Sequence, residues 1–144
     1  MAELSETTNV DSPIKTPDQS PNGIVRRVVH RGVDVFVIDY TKTTTAAERM
    51  AALEETADFV RAYDGKANSV SDVRGVPADF AFARRSYQLG KELFTPKSLR
   101  SAITGISGIK KSLFQAYCLF SRANMRAFDT MDEALDYVVR PLDD

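Results

Sequence analysis

The hydrophobic pattern of the chain begins with two β-rich runs, at 24–29 and 33–39, separated by a His-Arg-Gly segment at 30–32. A glycine between two such runs is typical of a β-hairpin. The second run holds four consecutive apolar residues at 35–38, so both faces of that strand are apolar. This pattern predicts a strand that is covered on both sides, deep in a sheet.

Downstream of the hairpin, helical patterns alternate with short β-rich runs. The first helix begins at a capping box, Thr45-Ala46-Ala47-Glu48, whose hydroxyl and carboxylate satisfy N–H groups of the helix start. A second capping box at 130–133 precedes the last helix. The remaining limits follow from apolar spacing, glycine and proline. The predicted order is the hairpin, helix 45–63, strand 67–73, helix 77–95, strand 99–104, helix 108–121, strand 125–128 and helix 130–141.

This order, ββαβαβαβα, predicts an α/β fold. Parallel strands joined by helices require right-handed crossovers, so we expect a five-stranded, mainly parallel sheet with helices on both faces. The leading hairpin adds one antiparallel edge strand. In the helix at 108–121, apolar spacing places Ile109, Leu113, Ala116 and Phe120 on one side, and we expect Phe120 to belong to the core.

Composition divides the chain into a tail and one domain. Residues 1–22 hold three of the six prolines and no apolar periodicity, which predicts a disordered tail. Residues 23–144 are long enough to bury a single core. No run approaches the ~20 apolar residues of a transmembrane segment, and the tail lacks the basic start and apolar centre of a secretory signal. The single cysteine, Cys118, fits a reducing compartment, so we expect a cytoplasmic protein.

The net charge of −1 conceals an asymmetric distribution. Nine basic residues and a single acid, Glu92, lie between positions 84 and 126, whereas six acids and one arginine follow position 126. Two explanations fit this pattern. Either basic and acidic residues simply lie on different solvated helix faces, or the basic residues form a surface that binds an anion. We do not expect nucleic-acid binding, because the domain as a whole is not strongly basic and contains no recognition motif.

The carboxyl ends of parallel strands meet at one edge of a sheet, and α/β proteins bind their ligands there. Polar residues and glycines follow three of the predicted strands at this edge. The Gly-x-x-Gly segment at 105–108 leads into a helix whose N–H groups and dipole favour an anion. We predict a site for a ligand or partner formed by Asp39, Tyr40, Asp72, Arg74, Gly75, Thr104, Gly105, Ser107, Gly108, Lys110 and Lys111.

These residues also have ordinary structural explanations. Ser107 would cap the helix, the glycines would supply turn angles, and acids at strand ends such as Asp39 and Asp72 would cap a loop N–H. The two acids are suitable oxygen ligands for Mg²⁺, although neither a metal nor another cofactor is predicted. The only histidine, His30, lies in the hairpin turn, so no Ser/His/Asp or Cys/His set can be assembled and no catalytic residue is predicted.

The chain resembles the small bacterial SpoIIAA-like family, which is grouped with STAS and CRAL-TRIO domains. The resemblance spans 24–139 and is carried by four segments in order. They are Val37-Ile38-Asp39-Tyr40, Ser71-Asp72-Val73-Arg74-Gly75, the segment 102–111 (Ala-Ile-Thr-Gly-Ile-Ser-Gly-Ile-Lys-Lys) and the segment 126–135 (Arg-Ala-Phe-Asp-Thr-Met-Asp-Glu-Ala-Leu). The resemblance implies a ββαβαβαβα sandwich and, for most members, no assigned activity.

The better-known relatives imply two kinds of role. STAS proteins bind a partner kinase and are switched by phosphorylation of a serine after the third strand, but the corresponding segment here, 72–79, has no serine or threonine. CRAL-TRIO relatives bind lipids in an apolar pocket, and this chain is short for enclosing a large one.

We therefore expect a non-enzymatic binding or regulatory domain that engages a protein partner or a small anionic or lipid-like ligand at the strand edge. The alternative is a Mg²⁺-dependent phosphoacceptor resembling receiver domains, built from Asp39, Asp72, Thr104 and Lys110. Receivers carry adjacent acids after the first strand, whereas Tyr40 follows Asp39 here. A homodimer is expected, because an unpaired hairpin edge favours association.

Overall fold

The computed structural model describes residues 17–141, in which a five-stranded mixed sheet is flanked by four α-helices. The elements are β1 (Val25–His30), β2 (Val33–Asp39), α1 (Ala46–Ala62), β3 (Ala67–Asp72), α2 (Phe80–Leu89), β4 (Ser98–Thr104), α3 (Lys110–Ser121), β5 (Met125–Phe128) and α4 (Met131–Val138). A 3₁₀ turn, Tyr40–Lys42, follows β2, and a π-helical turn, Gly90–Phe94, follows α2. The α/β class and the order of the elements are confirmed.

The strands lie side by side in chain order. β1 pairs with β2 in antiparallel fashion, and the three pairs from β2 to β5 are parallel. When successive parallel strands are neighbours, right-handed crossovers place every connecting helix on the same face of the sheet. Helices α1, α2 and α3 therefore share one face, while α4, which follows the last strand, packs on the other against β3, β4 and β5.

The sheet separates two hydrophobic clusters. The four residues 35–38 of β2 are all buried, with Phe36 and Ile38 in one cluster and Val35 in the other, which confirms the predicted coverage of both faces. One cluster joins Phe36, Ile38 and Tyr40 to Ala52 and Phe59 of α1. The other joins Val35, Val70 and Ala102 to Ala134, Tyr137 and Val138 of α4.

The predicted start of α2 at Pro77 is wrong, because Asp79 is the N-cap and the helix begins three residues later than predicted, at Phe80. The Asp79 carboxylate accepts a hydrogen bond from the N–H of Phe82 at 3.0 Å and pairs with Nε of Arg49 at 3.2 Å. Arg49 is a buried residue of α1, so the same carboxylate begins α2 and ties it to α1.

The predicted capping box at 130–133 is confirmed in both directions. At α1, the hydroxyl of Thr45 accepts from the N–H of Glu48 at 3.0 Å, as predicted. The Glu48 carboxylate, however, accepts from the N–H and hydroxyl of Thr44, at 2.7 and 2.8 Å. The Glu48 carboxylate thus bonds to Thr44, one residue upstream of the Thr45 N–H that a capping box would use.

The expectation that Phe120 belongs to the core is wrong, since its side chain is 62% exposed, and Ile109 on the same side of the helix is 56% exposed. Helix α3 packs mainly against α2 and the π-helical turn rather than on the strands. The two elements approach closely at Gly90, where an added Cβ would lie 2.7 Å from Cβ of Ser121 and 2.8 Å from the ring of Tyr117. This contact rotates the side of α3 that carries Tyr117 toward the protein.

Residues 1–16 of the predicted tail lie outside the described part of the chain, but residues 18–22 contact the domain. The N–H of Ser20 donates to the carbonyl of Val25 at 2.8 Å, and the N–H of Arg27 donates to the carbonyl of Asp18 at 2.6 Å. The packed structure thus begins before residue 23. These bonds also cover part of the outer edge of β1, the edge on which the expected dimer was based.

Candidate functional site

An apolar cavity of about 290 Å³ lies between the sheet and helices α1, α2 and α3. Leu53 and Phe59 of α1 form one wall, and Leu113, Phe114 and Tyr117 of α3 form the wall opposite the sheet. A gap of this size is unusual for a protein interior, which normally packs with few voids larger than a water molecule. The cavity is therefore a candidate binding site.

Small side chains on the sheet create this space. Ser69 and Ser71 of β3 and Ser101 of β4 face the cavity, while Val70 and Ala102 point to the opposite core. Each serine stands where a half-buried sheet normally carries a large apolar residue. Because α3 contacts α2 rather than these strands, its side chains do not fill the gap.

The tyrosine hydroxyls beside the cavity stay protonated at neutral pH. Burial raises the pKa of Tyr117 to about 12 and also raises the pKa of Tyr40, so both phenols stay protonated at neutral pH. The hydroxyl of Tyr87 donates to the carbonyl of Leu113 at 3.3 Å and links α2 to α3. The cavity wall is mainly apolar, with a few hydroxyl groups and the charged residues Asp79, Lys97, Lys110 and Arg122 among its lining.

A shallow depression at the carboxyl ends of the strands adjoins the cavity. It is lined by five of the predicted site residues: Arg74, Gly75, Gly105, Ser107 and Lys110. Val76, Ile106 and Lys110 line both the depression and the cavity. The predicted strand edge and the cavity thus meet at Lys110.

Lys110 supplies a cation at this junction. Its Nζ donates to the carbonyl of Val73 at 3.0 Å, and in residues 17–141 no carboxylate lies within ion-pair distance of it. Burial lowers the pKa of Lys110, because the charged form loses hydration. An anionic group bound here would give this ammonium its missing counterion.

Arg74, by contrast, is already paired. Its Nε and Nη2 donate to the two oxygens of Asp72 at 3.0 and 2.7 Å, and its backbone N–H donates to the same carboxylate at 3.1 Å. Burial alone would raise the pKa of Asp72, but the hydrogen bonds from Arg74 outweigh burial and lower it. The charge of Arg74 is therefore largely neutralised by Asp72.

Asp39 serves as a cap. Its Oδ1 accepts from the N–H of Thr41 at 2.9 Å and from the hydroxyl of the same residue, which begins the 3₁₀ turn. In the sheet register Asp39 lies opposite Asp72, and Asp72 lies opposite Thr104. The described residues contain no group of three His, Cys, Asp or Glu side chains that could hold a metal ion.

The start of α3 has few free donors in its first turn. The N–H groups of Lys110 and Lys111 donate to the carbonyls of Ser107 and Gly108, at 3.1 and 3.0 Å. The N-cap residue is Ile109, without a side-chain cap, so Ser107 does not cap this helix. An anion at this end would meet the Lys110 side chain more readily than these N–H groups.

Sequence reasoning missed the cavity, although one signal for it was present. Ser69, Ser71 and Ser101 place polar residues on one face of two central strands, where apolar ones are expected. It also missed the partner of His30, whose Nε2 lies 2.7 Å from Oδ1 of Asp136 in α4. That acid is more than a hundred positions away in the chain, so spacing could not reveal it.

None of the helices in residues 17–141 has the length and apolar character needed to span a bilayer. Comparison with family models, with curated proteins and with solved structures finds no match for the chain.

Proposed function

We propose that this domain binds an amphipathic anion without chemically converting it. The apolar chain of the ligand would occupy the cavity, and its charged group would lie beside Lys110. The observation that carries the proposal is the continuity of an apolar cavity of about 290 Å³ with a strand edge that presents this lysine. The tail and the head of the ligand thus each have a matching environment.

The size of the cavity limits the ligand. A cavity of ~150 Å³ lined by apolar side chains binds benzene, and small-molecule pockets start at about 300 Å³. A volume of about 290 Å³ is roughly twice that of the benzene site, so it suits a single alkyl chain of roughly ten carbons. A ligand with two long acyl chains would not fit without movement of α3.

The acids at the strand ends are already hydrogen-bonded within the protein. This favours ligand binding over phosphoryl transfer as the function. Asp72 accepts three hydrogen bonds from Arg74, and Asp39 caps its own turn. A phosphoacceptor needs a free carboxylate beside a metal ion, and freeing either acid would cost those bonds. We accordingly propose a non-enzymatic role.

Three further expectations accompany the proposal. Membership of the SpoIIAA-like family would explain the order of strands and helices around the cavity. A cytoplasmic location would suit the single Cys118. A regulatory role in a homodimer would require a contact other than the part of β1 that residues 18–20 cover.

The proposal is tested by filling the cavity. Ser69→Leu places a bulky side chain on the cavity floor, and Ser69→Ala at the same position leaves the space open. Titration calorimetry with decanoate is expected to show binding to wild type and Ser69→Ala, and at least about tenfold weaker binding to Ser69→Leu. Native mass spectrometry of freshly purified protein would show whether a ligand is retained.

A melting curve of each variant separates blocked binding from damaged folding. Ser69→Leu is expected to melt within a few degrees of wild type, because the new side chain enters existing space. Wild-type protein that binds neither decanoate nor dodecyl sulfate would refute the proposal. Equal decanoate affinity in Ser69→Leu and Ser69→Ala would place the ligand elsewhere.

A further inference from the structure

Helix α3 carries large apolar residues on its exposed side, beside the exposed Ser112 and Gln115, as well as on its cavity side. Ile109, Leu119 and Phe120 are 56%, 74% and 62% exposed. At 100° per residue Ile109 and Phe120 lie about 20° apart and Leu119 lies about 80–100° from them, with Ala116 and the exposed Ser112 between. Phe114 and Tyr117 point away from these residues, Leu113 lies at the boundary beside Phe120, and all three line the cavity. The wall of the cavity is thus also an exposed apolar surface.

The chain segment that carries this surface has charged residues of one sign only. Lys111 and Arg122 are exposed at the two ends of α3, Arg122 also lining the cavity, and the chain has no acidic residue between positions 93 and 128. An amphipathic helix with large apolar residues and basic neighbours is the pattern that lies in the interface of an anionic bilayer. The adjoining helix α2 adds an exposed Phe80 and an exposed Arg84.

We propose that the outer side of α3 docks on an anionic membrane surface, where the domain exchanges its ligand with the bilayer. Ile109, Leu119 and Phe120 enter the boundary between headgroups and acyl chains, and Lys111 and Arg122 contact anionic headgroups. This inference rests on the proposed function, because an amphipathic anion with an alkyl chain partitions into bilayers. Helix α3, which closes the cavity, then contacts the bilayer from which the ligand is taken up.

Charge argues against a second copy of the chain as the occupant of this surface. Two α3 helices packed face to face would bring Lys111 and Arg122 of both copies together without an acid on either helix, and like charges in contact are unfavourable. An acidic protein surface would satisfy the charge. It would not, however, account for the position of the exposed apolar residues on the wall of the cavity.

Vesicle co-sedimentation of the full chain tests the docking. Vesicles of phosphatidylcholine with phosphatidylglycerol are compared with vesicles of phosphatidylcholine alone. Wild type is expected to bind the anionic vesicles, and the binding is expected to weaken when ionic strength rises from about 0.1 M to about 1 M, because the Debye length falls from ~10 Å to ~3 Å. The double variant Leu119→Ser with Phe120→Ser is expected to bind at least about tenfold more weakly.

Matched variants elsewhere on the surface serve as controls. Val29 of β1 is 66% exposed, so Val29→Ser removes an exposed apolar side chain away from α3 and is expected to leave vesicle binding unchanged. Lys111→Glu is expected to weaken binding to anionic vesicles, whereas Lys66→Glu, an exposed lysine beside the start of β3, is expected to have a much smaller effect.

Decanoate binding in solution separates the two proposals. If wild type binds decanoate but no vesicles, the docking is refuted and the proposed function stands. If it binds vesicles but not decanoate, the proposed function fails while the membrane contact stands as an unrelated property. Light scattering that shows a dimer dissolved by the Leu119→Ser, Phe120→Ser variant would overturn the docking in favour of self-association. Capture of an acidic protein through α3, without vesicle binding, would also overturn it.

Discussion

Lys110 and Val73 are joined by a hydrogen bond of 3.0 Å from the lysine ammonium to the backbone carbonyl. The acceptor is neutral, so the positive charge at the junction of cavity and strand edge has no counterion among the described residues. Val73 directly follows β3, and Lys110 begins α3. The bond therefore fixes the first turn of α3 to the sheet while leaving the ammonium able to attract an anion.

Replacing this lysine should separate charge recognition from apolar binding. Lys110→Met keeps most of the aliphatic stem and removes the ammonium. We expect decanoate affinity to fall about tenfold, since a charge-assisted bond contributes about 1.5–3 kcal/mol, and decanol affinity to change little. Calorimetric titration with both ligands provides the measurement, with Lys111→Met as the exposed neighbouring control. A parallel loss of decanoate and decanol affinity would mean that Lys110 shapes the cavity only.

The pH dependence of carboxylate binding follows from the same group. Burial lowers the pKa of Lys110 from its usual 10.5, so some ammonium charge is lost below that pH in the free protein. A bound carboxylate favours the charged form and raises this pKa again. We expect decanoate affinity to be constant near neutral pH and to decline as pH rises toward 10.5, with proton uptake on binding in that range. Decanol affinity should show no such decline, and neither should decanoate affinity in Lys110→Met.

Gly105 permits the close approach of two strand-end loops. Its φ is +101°, and an added Cβ would lie 2.7 Å from Cα of Arg74. We expect Gly105→Ala to lower the free energy of unfolding by about 3 kcal/mol or more, because strain in the left-handed region adds to a backbone clash. Gly108 has φ +57° but open space around it, so Gly108→Ala should cost only about 1–2 kcal/mol. Urea denaturation measures both, and equal losses would show that the clash relaxes freely.

The ion pair at the end of β3 should block phosphorylation. Incubation with acetyl phosphate and Mg²⁺ is expected to leave the intact mass of the protein unchanged, because Arg74 occupies both oxygens of Asp72. Asp72→Asn serves as the control. Stoichiometric, hydroxylamine-sensitive labelling of wild type that disappears in this variant would establish the phosphoacceptor alternative instead.

Local signals in the sequence were sufficient for the fold. Capping residues, glycines and the change from two-residue to helical spacing identified every strand and α-helix of the described region, because these features act within a few residues of one another. Long-range contacts explain the errors. The face that α3 turns inward is set by Gly90, which lies on another element, and Asp79 displaced Pro77 as the start of α2 through its bond to Arg49.

The candidate site was predictable only along the edge of the sheet. Parallel topology brings the strand ends together, so the meeting of Arg74, Gly105 and Lys110 could be expected. Whether a charged group is free or paired depends on side-chain geometry, and this could not be deduced for Arg74. The cavity exists because no large side chain fills the space between α3 and the sheet. In the sequence, small residues such as Ser69 and Ser71 look like those of an ordinary exposed strand face.

The segment that precedes β1 provides a test of where the folded domain begins. Ser20 is 1% exposed; its hydroxyl accepts from the N–H of Val25 at 2.9 Å and donates to the carboxylate of Glu55 in α1. The N–H and side-chain amide of Asn22 donate to the same carboxylate at 3.0 and 2.7 Å. Burial raises the pKa of Glu55, but these bonds outweigh burial and lower it.

Removal of residues 1–22 should therefore destabilise the domain, whereas removal of residues 1–16 deletes none of these bonds. We expect the longer truncation to lose about 2 kcal/mol, or on the order of 5–10 °C in Tm, and the shorter one to match the full chain. Because the folded pKa of Glu55 lies below its unfolded value of 4.5, its contribution is complete above pH 4.5 and disappears as pH falls through the folded pKa. The difference between the two truncations should shrink over that acidic range, and Glu55→Gln should reduce it at neutral pH. Coincident melting curves for both truncations would show that the contacts of Ser20 and Asn22 contribute no net stability.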